Sequence, residues 1–189
     1  MLGSRQIGLL EFQEDRRSSR LLAHLGNTPL GLADGTFSAV TTVNEGVVSY
    51  HSESRGSKVR DISVTRHAGT VTDVSVVPRQ EMTSLSDISK VPIGVMSPTE
   101  VLQTLEAAEA CPMPIIMYDG RRVVQMATAA MMQEGNSVTC ELSYRVVLGP
   151  GHLAPFYFNA LKVRVTYSEN KLTRLTVTAG IFRLHLLRQ

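Results

Sequence analysis

The chain has 189 residues, of which 43% are hydrophobic and 19% are charged, and its formal net charge at pH 7 is +2. This size and composition predict a single globular domain spanning residues 1–189 and exclude a disordered chain. The small net charge lacks the basic footprint of nucleic-acid-binding proteins, and no apolar stretch approaches the roughly 20 residues of a membrane helix. We therefore expect no nucleic-acid partner and no transmembrane segment.

Neither the N-terminus nor the cysteines decide in which cellular compartment the protein lies. The first residues, MLGSRQIGLLEF, contain no hydrophobic region like that of a secretory signal. Either the protein is cytoplasmic, or a signal peptide has been removed. Cys111 and Cys140 are equally ambiguous, because cysteines of a cytosolic domain are usually buried thiols and those of an exported domain usually pair.

The first half of the chain predicts antiparallel strands joined by short turns. In RDISVTR, Ile62 and Val64 alternate with polar residues, which is the pattern of a strand with one face on a core. Residues that favour turns lie at 44–46 and 66–69, and again at 168–171 in the second half. The spacing of about ten residues per strand predicts a meander.

A glycine-rich segment, a linker and one helix are predicted next to these strands. Residues 26–35 predict either a lip over a cavity or a long loop. Residues 78–96 are polar and contain prolines, and we interpret them as an irregular linker. The SPTE sequence at 97–100 is a capping box with proline at the first helical position. The apolar residues behind it predict a short amphipathic helix that covers a curved sheet.

Residues 111–124 read CPMPIIMYDGRRVV and predict a hairpin. Asp-Gly between two strands favours a type I′ turn, and the two arginines then open the returning strand. The favoured interpretation leaves the charges of this turn in solvent. The alternative is an anion-binding or partner-docking tip, made of Tyr118, Asp119, Gly120, Arg121 and Arg122. The segment is not a phosphate loop, because it lacks the glycine spacing and the Lys-Ser/Thr pair.

The second half continues with strands and suggests an apolar pocket. CELSYRVV, NALKVRVTYS and IFRLHLLR each alternate apolar and polar residues. Methionines concentrated in residues 113–132 favour either gap filling in a core or a surface that accepts varied apolar ligands. The candidate pocket residues are Val101, Leu102, Leu105, Met117, Met126, Leu142, Tyr144, Leu161, Val163 and Val165.

No local motif predicts catalysis. The five histidines are scattered, without the spacing of a zinc site, and no Gly-x-Ser-x-Gly sequence occurs. Cys140 lies within an alternating strand, which favours packing or bridging over a nucleophilic role. We therefore expect a protein that is not an enzyme and that uses neither a metal ion nor a cofactor.

The order of parts between residues 97 and 150 carries a family resemblance. A helix precedes a cysteine, an aromatic-Asp-Gly-Arg-Arg hairpin follows, and a second cysteine precedes a Tyr-Arg strand. In these features the chain resembles the exported proteobacterial family called domain of unknown function 3108. The matching positions are Cys111, Tyr118, Asp119, Gly120, Arg121, Arg122, Cys140, Tyr144 and Arg145. The chain departs from the family in lacking tryptophan and in beginning its helix with Ser-Pro-Thr-Glu.

The resemblance implies a periplasmic location, a Cys111–Cys140 disulfide and an open, curled sheet similar to that of periplasmic lipoprotein carriers. We therefore expect a mainly β fold, a curled antiparallel sheet or open β-barrel with one short amphipathic helix. The expected function is non-enzymatic: binding of an apolar ligand, a lipid or acyl chain, in the cell envelope. The alternative is a structural or interaction factor that docks an envelope protein through a sheet edge or the Asp119-Gly120 hairpin.

Overall fold

The computed structural model describes residues 8–26, 34–56, 58–152, 158–179 and 182–187. These residues form twelve strands, one α-helix and three short 3-10 turns. The strands make two six-stranded antiparallel sheets, in which each strand pairs with its neighbours in sequence. The predicted mainly antiparallel β class with one short helix is thus confirmed, and the described strands close into no barrel. That the whole chain forms one domain stays a prediction.

The first sheet is a meander. Its strands are β1 Gly8–Glu14, β2 Ser18–Leu25, β3 Gly35–Asn44, β4 Val47–Gly56, β5 Arg60–His67 and β6 Thr70–Val77. The turns predicted after β3 and β5 are confirmed, with positive φ at Glu45 and Gly46 and at Ala68 and Gly69. Such turns follow the twist of a hairpin. Residues 27–33, which contain most of the proposed lip, lie outside the described part of the chain.

The second sheet is also a meander. Its strands are β7 Ile115–Tyr118, β8 Val123–Glu134, β9 Ser137–Leu148, β10 Ala160–Ser168, β11 Lys171–Ala179 and β12 Phe182–Leu187. Leu142, Val163 and Val165 are buried, as the alternating pattern predicts, whereas the side chains of Phe182 and Leu184 lie outside the described atoms. This sheet therefore has one apolar face on its own core.

The segment between β6 and the helix is packed on the first sheet, which corrects its interpretation as an irregular linker. It contains three 3-10 turns, Arg79–Glu81, Ser84–Ser86 and Ile88–Lys90. Leu85 and Val95 from this segment are buried in the core of the first sheet. Apolar side chains among the polar ones therefore fix the segment in place.

The helix α1, Pro98–Ala107, lies between the two sheets. The predicted capping box is confirmed: the Ser97 amide donates to Oε2 of Glu100 at 2.7 Å, and the Glu100 amide donates to Oγ of Ser97 at 3.3 Å. The hydroxyl of Thr41 on β3 shares hydrogen bonds with Ser97 and Thr99 at 2.8 and 2.5 Å. Buried hydroxyls thus tie the start of the helix to the first sheet.

The β7–β8 hairpin connects the two cores. Tyr118 and Val123, at the ends of the paired strands, belong to the core of the first sheet. The Tyr118 hydroxyl donates to the Leu85 carbonyl at 2.5 Å.

Within the described residues, no helix has both the length and the apolar character needed to cross a membrane.

Candidate functional site

The loop between β7 and β8 is folded by the side chain of Asp119. Its Oδ1 accepts hydrogen bonds from the backbone amides of Arg121 and Arg122, each at 2.9 Å. Gly120 has φ +90°, in the region that favours glycine. The predicted hairpin is therefore present, but four residues separate its strands, and the positive φ of a type I′ turn is found at Gly120 and not at Asp119.

The tip of this loop faces protein and not solvent. A Cβ added at Gly120 would lie 2.3 Å from Cγ2 of Ile62 on the first sheet. Arg122 is 6% exposed, and the side chains of Arg121 and Asp119 are 12% and 20% exposed. The favoured interpretation of YDGRR as a turn with solvated charges is therefore wrong. The sequence pattern signals the turn but not the sheet that packs over it.

Arg121 belongs to a cluster of three cations around one carboxylate. Glu81 Oε2 lies 2.5 Å from Nη2 of Arg60 and 3.0 Å from Nη2 of Arg121, and Oε1 lies 3.4 Å from Nζ of Lys58. Arg121 also donates through Nε to the Glu81 carbonyl at 2.7 Å. Burial alone would raise the pKa of Glu81, but the hydrogen bond from Arg60 and the nearby cations outweigh it and lower that pKa.

Arg122 begins a chain of side-chain hydrogen bonds. Its Nη1 lies 2.7 Å from Nδ1 of His152, and Nε2 of His152 lies 2.7 Å from the hydroxyl of Tyr144. Its Nε lies 3.0 Å from Oδ2 of Asp119, close enough for ion-pair attraction, yet this buried atom makes no hydrogen bond within the described residues. One nitrogen of a buried guanidinium therefore has charge compensation without a hydrogen-bond acceptor.

The environment of His152 keeps this imidazole neutral. Burial, and then the neighbouring positive charge of Arg122, lower the pKa of His152 to about 4. Burial likewise raises the pKa of Tyr144 well above its ordinary value, so its phenol stays protonated. At neutral pH the three hydrogen-bonded side chains therefore comprise one charged group, the guanidinium of Arg122, and two neutral ones, the imidazole of His152 and the phenol of Tyr144.

These groups line a cavity of about 540 Å³ between the first sheet and the β7–β8 loop. Its volume is in the range of small-molecule sites. Its lining includes the apolar and aromatic side chains Leu25, Phe37, Tyr50, Ile62 and Met117. The lining also contains charged and polar side chains of both signs: Asp34, Ser52, Ser54, Arg55, Lys58, Arg60, Asp119, Arg121, Arg122, Tyr144 and His152. The cavity can therefore hold a ligand that has both an apolar and a polar part.

The structure separates the residues that the sequence grouped as one pocket. Met117 and Tyr144 line the cavity. The remaining apolar candidates fill the core around the second sheet or flank it, and do not line the cavity: Val101, Leu102, Leu105, Met126, Leu142, Leu161, Val163 and Val165. The methionines are also divided, because Met113 is 81% exposed and Met131 is 61% exposed.

The disulfide implied by the family resemblance is confirmed. Cys111 and Cys140 are bonded, with their Cα atoms 5.5 Å apart. The bond attaches the segment that precedes β7 to the first half of β9. It lies away from the cavity lining and holds the base of the hairpin whose tip reaches the first sheet.

Sequence reasoning missed several residues of this site, chiefly Glu81, Arg60 and His152. Glu81 lies in the segment interpreted as a linker, and His152 was only one of several scattered histidines. Their partners are 21 to 40 positions away for Glu81 and 30 for the Arg122–His152 pair. No local pattern could reveal contacts that only the tertiary fold makes.

The described residues contain no group of three or more side chains arranged to hold a metal ion.

The chain matches no protein-family model, no curated protein and no solved structure. The resemblance to the exported family is not tested by this result and stays a prediction. The function must therefore be inferred from the cavity and its side chains.

Proposed function

We propose that this protein is a non-enzymatic binding protein of the bacterial cell envelope that holds a lipid or acyl chain between its two sheets. The observation that carries the proposal is the cavity of about 540 Å³, whose lining includes apolar and aromatic side chains. Phe37 and Ile62 come from the first sheet and Met117 from the second, so both halves of the chain contribute apolar side chains to the lining. A flexible thioether and an aromatic ring suit an alkyl chain of variable shape.

The Cys111–Cys140 disulfide supports an oxidising compartment, since disulfides persist in the periplasm and outside the cell and are rare in the cytosol. We propose the periplasm as that compartment. A periplasmic carrier of apolar molecules must shield them from water, and burial of alkyl surface supplies the favourable free energy.

Native mass spectrometry on gently purified protein tests the proposal. We expect extra mass that leaves on denaturation and fragments as a lipid or fatty acid. Ala23→Phe, at the cavity wall, should reduce the bound fraction, because the larger ring takes up the space of the chain. Ala130→Phe is the matched control, since Ala130 is exposed on β8 and does not line the cavity. Protein that carries no extra mass and yields no lipid to organic solvent would contradict the proposal.

A second candidate function is an interaction factor of the envelope without a small-molecule ligand. The exposed thioethers of Met131 and Met132 near the end of β8 favour it, because flexible apolar side chains suit a protein contact. A photo-crosslinking residue placed at position 131 should then capture a defined envelope protein. Recovery of only non-specific neighbours would reject this candidate.

A further inference from the structure

The side chains of Arg122, His152 and Tyr144 form a hydrogen-bond chain whose direction is fixed. A guanidinium can only donate, so Nη1 of Arg122 donates to Nδ1 of His152 over 2.7 Å. An imidazole whose Nδ1 accepts carries its proton on Nε2, which donates to the Tyr144 oxygen over 2.7 Å. A protonated imidazole has a hydrogen on both nitrogens and can accept none. The bond between Arg122 and His152 therefore exists only while His152 is neutral.

His152 belongs to a short segment that covers part of the cavity. This segment, residues 149–152, follows β9 and is called the strap. Three of its residues line the cavity: Pro150, Gly151 and His152. The strap lies directly on the β7–β8 loop, since a Cβ added at Gly149 would be 2.5 Å from the carbonyl oxygen of Arg121 and 2.9 Å from Cα of Arg122. Displacement of the strap would therefore open the cavity.

Arg122 is the more firmly held partner of the contact with His152. Asp119 accepts a hydrogen bond from the Arg122 backbone amide at 2.9 Å, and its Oδ2 lies 3.0 Å from Nε of the same buried side chain. His152 is joined by two backbone hydrogen bonds, of 2.9 and 2.8 Å, to Phe158 in the same connection between β9 and β10. A second positive charge 2.7 Å from the fixed guanidinium is unfavourable in a buried site, so protonation must displace the strap.

We propose that the strap is an acid-sensitive gate of the cavity: a proton taken up from solvent at Nδ1 of His152 breaks the bond to Arg122, and the strap leaves the β7–β8 loop and releases the bound molecule. Release of a ligand rests on the proposed function, whereas movement of the strap does not. A carrier with this gate keeps its apolar ligand at neutral pH and releases it in acid.

The groups around His152 set the balance between the closed and open forms. Burial of the imidazole and then the charge of Arg122 oppose protonation, and the carboxylate of Asp119 favours it. The β7–β8 loop and β9 also supply Arg121 and Tyr144 to the lining. The other titratable groups of the lining come from the first half of the chain: Asp34, Tyr50, Arg55, Lys58 and Arg60.

The size of the effect follows from the two protonation equilibria of His152. Its pKa is about 4 in the closed cavity, against 6.5 for an ordinary histidine, so the open form takes up the proton more readily. The ratio of open to closed form therefore increases as the pH falls through this window, by about 20-fold between about pH 7 and about pH 5.

Oxidation by hydroxyl radicals, followed by mass spectrometry, measures the opening without a ligand. Met117 lines the cavity and is 7% exposed, so an open strap should admit radicals to its thioether. Met113 is 81% exposed and serves as the internal reference, and Met126, in the core around the second sheet, reports unfolding. We expect oxidation of Met117 relative to Met113 to rise several-fold, and at most about 20-fold, from about pH 7 to about pH 5 while Met126 stays protected.

Release of a neutral dye measures the same opening with a ligand. Nile red carries no charge at either pH and fluoresces more strongly in apolar surroundings. Its dissociation from the delipidated protein is followed by stopped-flow fluorescence after addition of excess decanol. Because dissociation passes through the open form, its rate should rise about 20-fold from about pH 7 to about pH 5.

Two histidine variants assign the effect to His152. The side-chain oxygen of His152→Asn can accept from Arg122 but does not titrate, so Met117 oxidation and dye release should lose most of their pH dependence. His185→Asn is the matched control, because His185 also bonds a side chain, that of Thr176 at 3.0 Å, but does not line the cavity. It should retain the wild-type pH dependence. If His152→Asn does not fold, Met117 oxidation in the unmodified chain still decides.

The outcomes separate the gate from the proposed function. Met117 that is as protected in acid as at neutral pH would overturn the gate, as would oxidation of Met126 together with Met117, since acid would then unfold the protein. An equal pH effect in His152→Asn would assign it to the carboxylates of the lining and also overturn the gate. Dye that leaves at the same rate at both pH values would overturn gated release and retain the carrier. Failure of Nile red and decanol to bind at either pH would count against the carrier, while Met117 oxidation would still test the gate.

Discussion

Substitution of Gly120 by alanine is the most direct test of how the β7–β8 loop meets the first sheet. An alanine Cβ would lie 2.3 Å from Cγ2 of Ile62 and 3.4 Å from Cγ2 of Val64. Real Cβ atoms do not approach other atoms as closely as 2.3 Å, so either the loop or β5 must move. The backbone at this position also has φ +90°, a conformation that residues with a Cβ atom adopt only at a cost in free energy.

The expected loss of stability has two parts. A residue with a Cβ in the left-handed region costs roughly 1–2 kcal/mol. Overpacking against a buried side chain adds typically about 1–3 kcal/mol. We therefore expect Gly120→Ala to lower the free energy of unfolding by about 2–5 kcal/mol. If the loop tip lay in solvent, Gly120→Ala would cost only the backbone contribution.

Gly46→Ala is the matched control. Gly46 has φ +79° in the turn between β3 and β4, and a Cβ added there would meet no atom within 4 Å. Its substitution should cost only the backbone part, about 1–2 kcal/mol. Urea unfolding followed by far-UV circular dichroism, with the disulfide intact, measures both variants. Equal losses in the two variants would refute the packing of the loop against β5.

A double-mutant cycle locates the contact. Ile62→Ala removes the Cγ2 atom that the new methyl group would strike, and by itself should cost about 2–5 kcal/mol because Ile62 is buried. In the Gly120→Ala background the cost of Ile62→Ala should be smaller by about 1 kcal/mol or more, since the methyl group occupies part of the space. Additive losses would show that the two positions do not touch.

Three further predictions concern the disulfide, the protonation of His152 and the hydrogen bond of Tyr118. Replacement of both Cys111 and Cys140 by alanine should lower the free energy of unfolding by about 3.5 kcal/mol in the chain-entropy estimate for a loop of 29-residue separation, and unchanged urea unfolding would contradict it. Because the pKa of His152 falls from 6.5 in the unfolded chain to about 4 in the fold, the unfolded state binds more protons between these values and stability decreases as the pH falls through this window. The free energy of unfolding should therefore be on the order of 1–2 kcal/mol lower at about pH 5 than at about pH 7. This difference should be smaller in His152→Asn, and an equal difference in the variant would argue against His152 as its source. Tyr118→Phe should cost about 1–3 kcal/mol, because it leaves the Leu85 carbonyl without its donor, and should expose the segment that precedes the helix to proteolysis; unchanged unfolding and cleavage would count against that contact.

The amino-acid sequence by itself determined the secondary structure of much of this protein. Alternation places Ile62 and Val64 on one face of β5, and the capping box at Ser97 starts the helix, because both patterns act over a few neighbouring residues. The Asp-Gly pair likewise marks the β7–β8 hairpin. Each of these features is decided by local backbone preference and by which side chains avoid water.

Tertiary structure decided the site. The strands could have formed one curled sheet, but they divide into two, and the hairpin of the second sheet enters the core of the first. Only this arrangement buries Arg122 and brings it to His152, 30 positions away, and only it places Glu81 among three cations. Local preference specifies the turn at Gly120, whereas the charge and shape of the cavity arise from contacts between segments that are distant in sequence.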